Sequence, residues 1–272
     1  MGFYRCVPTQ SGGGTPLSEI TDSAAIVEYG TRVTPATANN CANMFRANVT
    51  FNQPVVIGSD VTLCSYMFSS ASNFNQPVII GQNVTDCVGM FNYAMAFNQP
   101  LIIPDKVTSC ASMFNFAQGF NQPVIIGSSV SNCLAMFWHA IKFNQPVMIP
   151  KSVTSCASMF SDIWEYNQSI TIPSGVTNCR RMFNNCKNFG GDGKAIYINV
   201  SPSQTTHDFI GLLRAKNNSL RMNIFCSDLS LLTGTASANS IVNAAISWTA
   251  TTNGYYNAVY NIYLYNNYSG TL

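Results

Sequence analysis

Cys41, Cys64, Cys87, Cys110, Cys133, Cys156 and Cys179 stand at a strict interval of 23 residues. Met-Phe follows each of them three residues later, from Met44-Phe45 to Met182-Phe183. Phe-Asn-Gln-Pro recurs in the same register at Phe51, Phe74, Phe97, Phe120 and Phe143. It then decays to Tyr166-Asn167-Gln168-Ser169 and to Phe189-Gly190. Seven copies without an insertion leave this part of the chain one architecture, a stack of similar units in which each touches only its neighbours.

One unit reads Cys-x-x-Met-Phe-x-x-Ala-x-x-Phe-Asn-Gln-Pro-Val-x-Ile-x-x-x-Val-Thr-x. The Pro-Val-Ile-Ile stretch is short, β-branched and closed by Gly or Pro, which predicts a strand. Pro at the first strand position forfeits no ladder hydrogen bond. Stacking would set these strands in a parallel sheet about 4.8 Å apart. Val-Thr predicts a second, shorter extended piece. Cys-x-x-Met-Phe-x-x-Ala places apolar residues at i, i+3, i+4 and i+7, the spacing of one helical face, and predicts a brief helix. A central Phe-Asn-Gln-Pro ring such as Phe97 is expected to matter more for stability than Tyr166 near the decaying end.

These residues resemble the BspA-like leucine-rich repeats and the related family first noted in mycoplasma surface lipoproteins. The unit length and the Met-Phe, Phe-Asn-Gln-Pro and Val-Thr-x-Cys elements carry the resemblance, which covers residues 41–190. It implies an α/β fold: a leucine-rich-repeat-like solenoid of strand–turn–short-helix coils with a parallel sheet, capped at both ends. It also implies a binding habit, since members are mostly surface or adhesion proteins and similar arrays occur among phage structural genes.

The expected organisation is an N-terminal arm and cap over 1–40, a seven-coil solenoid over 41–201, and a C-terminal cap over 202–272. Gly12-Gly13-Gly14 reads as linker, and Ala24 to Tyr29 as a first strand. Ala195 to Val200 and Met222 to Cys226 read as later strands, with helical patterning between them from Thr206 to Ala215. Asn253-Gly254, between β-rich runs, signals a hairpin.

Charged residues are 9% of the chain, against roughly 25% in ordinary domains. With a net charge of +2 and no basic stripe, nucleic-acid binding is not expected. No apolar run is long enough for a membrane helix, so no membrane insertion is expected. The N-terminal Met-Gly-Phe-Tyr-Arg-Cys gives no secretory signal pattern. The regularly spaced cysteines are read as reduced thiols packed in the core rather than as disulfides or metal ligands. Cys186, at the usual Ala position, is read the same way. The repeated Asn of Phe-Asn-Gln-Pro is expected to be a buried amide satisfied by backbone of adjacent turns.

Catalysis finds little support. His139 sits at a variable position, His207-Asp208 suits a helix start, and the few acidic residues are not paired by spacing. No catalytic, cofactor-binding or metal-binding residue is assigned, and no enzyme activity is expected. Two sets of side chains are candidates for partner binding. The middle strand positions Val56, Ile79, Ile102, Ile125 and Met148 should face outward from the sheet as an apolar stripe, before Thr171 ends it, either as a contact surface or beneath the N-terminal arm or a cap. Tyr93, Phe116, Trp138 and Trp164 place aromatic rings at otherwise variable positions, suited to sugar stacking, to protein hot spots or equally to filling gaps between coils.

The expected function is a non-enzymatic phage virion protein, a tail- or capsid-associated decoration or host-binding component assembled in the host cytoplasm. Its partners would be other virion proteins, a host-surface protein or glycan, or further copies of itself. The alternative is a bacterial cell-surface adhesin of the BspA-like type.

Overall fold

A computed structural model describes residues 4–6, 40–189, 194–200, 213–214, 221–226 and 261–266. The strands are β1 (Tyr4–Cys6), β2 (Val55–Ile57), β3 (Val78–Ile79), β4 (Leu101–Ile102), β5 (Val124–Ile125) and β6 (Ile170–Ile172). They continue with β7 (Phe183–Asn184), β8 (Ala195–Val200), β9 (Leu213–Arg214), β10 (Arg221–Cys226) and β11 (Asn261–Asn266). Every pairing between them is parallel. Val55 lies opposite Val78 and Leu101 opposite Val124, one repeat length along the chain. A second ladder of single bridges runs through Asn40, Leu63, Asp86, Ser109, Asn132, Ser155 and Asn178, beside the Val-Thr positions. Both extended pieces of the unit are therefore present.

The brief helix is not. No helix occurs among the described residues, and Cys-x-x-Met-Phe-x-x-Ala is a run of linked turns. In the first unit Met44 N–H donates to Cys41 O, Arg46 N–H to Asn43 O and Asn48 N–H to Phe45 O, each spanning three residues. The alternate N–H groups of Asn43, Phe45 and Ala47 donate instead to Ser65, Met67 and Ser69 of the next unit, at 3.0, 2.8 and 2.7 Å. Asn43 and Ala47 hold φ of 60° and 57°, and the corresponding residues of the later units do the same. A two-turn helix would leave most of its end groups unpaired and carry the full nucleation cost. Turns whose alternate N–H groups reach the next unit satisfy the backbone and still direct the same residues inward.

The core is a set of columns, one residue per unit. All seven repeat cysteines are buried, as are the Val of Val-Thr and every Met-Phe phenylalanine. Cys186 is buried as well, and the eight cysteines whose side chains are described are free thiols. Within a unit the two rings stack closely, as Phe91 does on Phe97 with centroids 3.9 Å apart. Along a column the spacing is wider, 5.9 Å from Phe74 to Phe97 and again from Phe97 to Phe120.

The Asn-Gln pair forms a ladder of its own. Asn75 Oδ1 accepts from Asn98 N–H at 2.8 Å and from the Gln99 side chain at 3.1 Å. The Asn-to-Asn bond repeats from Asn52 to Asn167. Adjacent-turn backbone satisfies the amide oxygen from Asn52 to Asn144, whereas Asn167 Oδ1 is buried without a partner. As whole residues these asparagines are half-buried or exposed rather than buried.

Tyr166 is as buried as Phe97 and contacts rings of both neighbouring units, Phe143 at 6.1 Å and Phe189 at 5.6 Å. Its place near the end of the motif therefore does not make it dispensable. Its hydroxyl, however, is buried with no hydrogen-bond partner. Tyr166→Phe, which restores the residue of the other copies, should raise stability by about 1–3 kcal/mol. Urea denaturation followed by circular dichroism checks this, and an unchanged or lower midpoint would mean that the hydroxyl is satisfied.

Beyond residue 190 the sheet continues at wider intervals. Ile196 pairs with Ile170, Arg221 with Ala195 and Asn261 with Arg221. β8 and β10 are the strands expected at 195–200 and 222–226, the latter beginning one residue earlier. Leu213–Arg214, expected to be helical, is strand and pairs with β7. The rest of 206–215, the 24–29 segment, the Gly12-Gly13-Gly14 linker and the Asn253-Gly254 turn lie outside the described residues.

Candidate functional site

Alternation along each strand divides the two faces as the period of two requires. Val78 and Ile80 are buried, and Ile79 between them is 53% exposed. The row continues with Ile102 at 64%, Ile125 at 61% and Met148 at 86% exposed. Val56 is half-buried at the start of this row, in register with Arg5 of β1, and half-buried Thr171 ends it. β1 lies alongside β2 and extends the sheet at its edge. Exposed Pro77, Pro100, Pro123 and Pro146 flank the row. The surface is thus an apolar strip one side chain wide, flanked by these prolines and met by Arg5 at its start.

The aromatic residues divide differently. Tyr93 and Phe116 both stand six residues after their unit's cysteine and stack at 4.6 Å, nearly parallel. His139 holds the same position one unit later and stacks on Phe116 at 4.4 Å. Asp162 and Asn185 continue the column, and Asn185 Nδ2 donates to Asp162 Oδ1 at 2.8 Å. Trp138 meets Phe116 edge-on at 5.7 Å and donates its indole N–H to Asp162 Oδ2 at 2.8 Å. Ser161 Oγ donates to the same oxygen at 2.9 Å. Partial burial pushes the Asp162 carboxyl up. The donors Asn185, Trp138 and Ser161, with the charge of His139, outweigh that and hold it below the usual aspartate value.

Trp164 is not part of this group. It stands eight residues after its cysteine, and Lys187, at the same offset one unit later, places its ammonium 3.5 Å over the indole ring. Of the four aromatic candidates, three are brought together and one is covered by a cation. Sequence reasoning left out His139, Asp162, Ser161 and Asn185. Counting offsets from each cysteine would have found His139, Asp162 and Asn185, because residues at equal offset in successive units become neighbours. Among the described residues, no cluster of three or more His, Cys, Asp or Glu is placed to hold a metal ion. Among the described residues there is no helix long and apolar enough to cross a membrane.

The family described as "Mycoplasma protein of unknown function, DUF285" matches the chain over residues 32–125, 81–172 and 127–221. The matches overlap, as a shifting register on a tandem repeat would, and together they span well over half of the chain. No curated protein and no solved structure matches it. The strict 23-residue array and its parallel stacking are thus those of a recognised repeat family, and the chain belongs to DUF285.

Proposed function

We propose that the chain is a non-enzymatic binding protein, built as a leucine-rich-repeat-like solenoid, that mounts on a phage virion through its exposed apolar strand row. The observation that carries this reading is the uninterrupted run Ile79, Ile102, Ile125 and Met148, all exposed on one face. Isolated exposed apolar residues are ordinary, but a continuous row on a sheet face marks a contact surface. The parallel register between units supports a solenoid, which presents such a row as one extended surface. The low charge supports life in an assembly, since closely packed copies then repel each other weakly. The partner is a virion protein with an apolar, uncharged face of its own.

Replacing Ile102 and Ile125 by Thr keeps the β-branched shape at positions already facing water. Melting should therefore change little, as for surface substitutions generally. Docking should weaken, because each aliphatic side chain buried at the contact contributes about 1.5–3 kcal/mol. Mass spectrometry of purified particles should find the wild-type chain and much less of the double variant. Equal incorporation of both would overturn docking through this row. Recovery of the chain from the bacterial surface rather than from particles would fit the BspA-like adhesin instead.

A further inference from the structure

Two local departures from good packing fall in the same two units. Tyr93 and Phe116 hold φ of 58° and 57°, in the left-handed region that disfavours bulky side chains and suits Gly, Asn or Asp. Immediately before them, Asn92 and Asn115 each bury a side-chain oxygen that has no hydrogen-bond partner. Both features oppose stability. Other units fill the aromatic position with Ala47, Ser70, Asp162 or Asn185, so the fold does not require a ring there. Strained and unsatisfied positions that persist together point to a role other than holding the chain together.

What the rings present is a platform with a polar end. Tyr93 and Trp138 are exposed, and Phe116 lies against both. Asp162 fixes the Trp138 indole, with Oδ2 accepting two hydrogen bonds and Oδ1 one. A carboxylate accepts about four, so Oδ1 keeps capacity for a further donor. Phe116 has a ring on either face, Tyr93 and His139, and so supports the platform. The exposed Tyr93 and Trp138 rings beside fixed acceptors match a sugar ring, whose C–H face packs on them while its hydroxyls donate to the carboxylate. The negative charge of Asp162 disfavours an acidic saccharide.

We propose that Tyr93, Phe116, Trp138 and Asp162 form a binding site for a neutral glycan, separate from the apolar strand row. Affinity electrophoresis in gels containing a soluble neutral α-glucan, β-glucan, mannan or galactan tests it. At least one of these should retard the wild-type protein. Tyr93→Asn combined with Phe116→Asn should weaken that retardation by about tenfold or more, the loss expected for one stacked ring or more. Because Asn fits the left-handed conformation, the double variant should melt at or above the wild-type temperature. Tyr93→Ser, which places there the residue found at Ser70, removes a single ring and should weaken retardation in the same direction. The variant carrying Ile102→Thr and Ile125→Thr should be retarded like wild type, which separates this site from the docking row. Retardation by none of the four polysaccharides would overturn the proposal, as would equal retardation of the double variant. A melting temperature lowered by more than about 5 °C would also overturn it, because the rings would then be gap-filling core.

Discussion

Titrated upward under reducing conditions, the protein should unfold in one step at about pH 10, well below the pH at which its buried thiols ionise in place. Burial pushes the Cys41 and Cys133 thiols up to about 12, and it raises those of Cys64, Cys87, Cys110, Cys156 and Cys186 as well. Neighbours in the column add to this, since a thiolate at Cys87 would oppose one at Cys64. In the unfolded chain a thiol ionises near about 8.5. Between the two values the unfolded chain binds fewer protons than the folded one. Stability is therefore complete below the unfolded value and falls as pH rises toward the folded ones.

Each thiol contributes about 1.4 kcal/mol of loss per pH unit in that window, or roughly 10 kcal/mol per unit for the seven. An ordinary domain's stability of about 5–15 kcal/mol is cancelled within one to two units. Circular dichroism and thiolate absorbance followed against pH should change together. Each Cys→Ala replacement along the column should flatten the dependence of stability on pH by about 1.4 kcal/mol per unit. Native dichroism retained at about pH 11 with the thiolates already formed would contradict a solvent-excluded column.

Phe97→Ala should cost about 3–5 kcal/mol, the range for truncating a buried aromatic ring. Phe97 is fully buried, 3.9 Å from Phe91 and 5.9 Å from both Phe74 and Phe120. The hole cannot close by collapse, because the stacked backbones on either side are held at their spacing by hydrogen bonds such as Leu101 N–H to Pro123 O. Tyr166→Ala should cost a similar amount despite its place near the end of the motif, since rings pack against it on both sides. Chemical denaturation of the two variants checks both figures. Negligible losses at both positions would mean that the ring columns do not hold the units together.

The repeat alone determined which residues stack and which turn inward. Identical spacing forces equal offsets to become neighbours, and strand alternation separates Val78 and Ile80 from Ile79. The cysteine and phenylalanine columns, the parallel pairing and the outward row were legible for that reason. The conformation of Cys-x-x-Met-Phe-x-x-Ala was not. Apolar residues at i, i+3, i+4 and i+7 point inward both from a helix and from linked turns. Only the destination of the N–H groups distinguishes the two, and here Asn43, Phe45 and Ala47 donate to the next unit. The grouping of the variable residues was likewise decided in three dimensions. An offset of six places Tyr93, Phe116, His139 and Asp162 in one column, Trp138 reaches that column through its indole N–H, and Trp164 at an offset of eight lies under Lys187. A periodic sequence specifies its core through repetition, whereas its surface depends on side chains that occur once and take their surroundings from the units above and below.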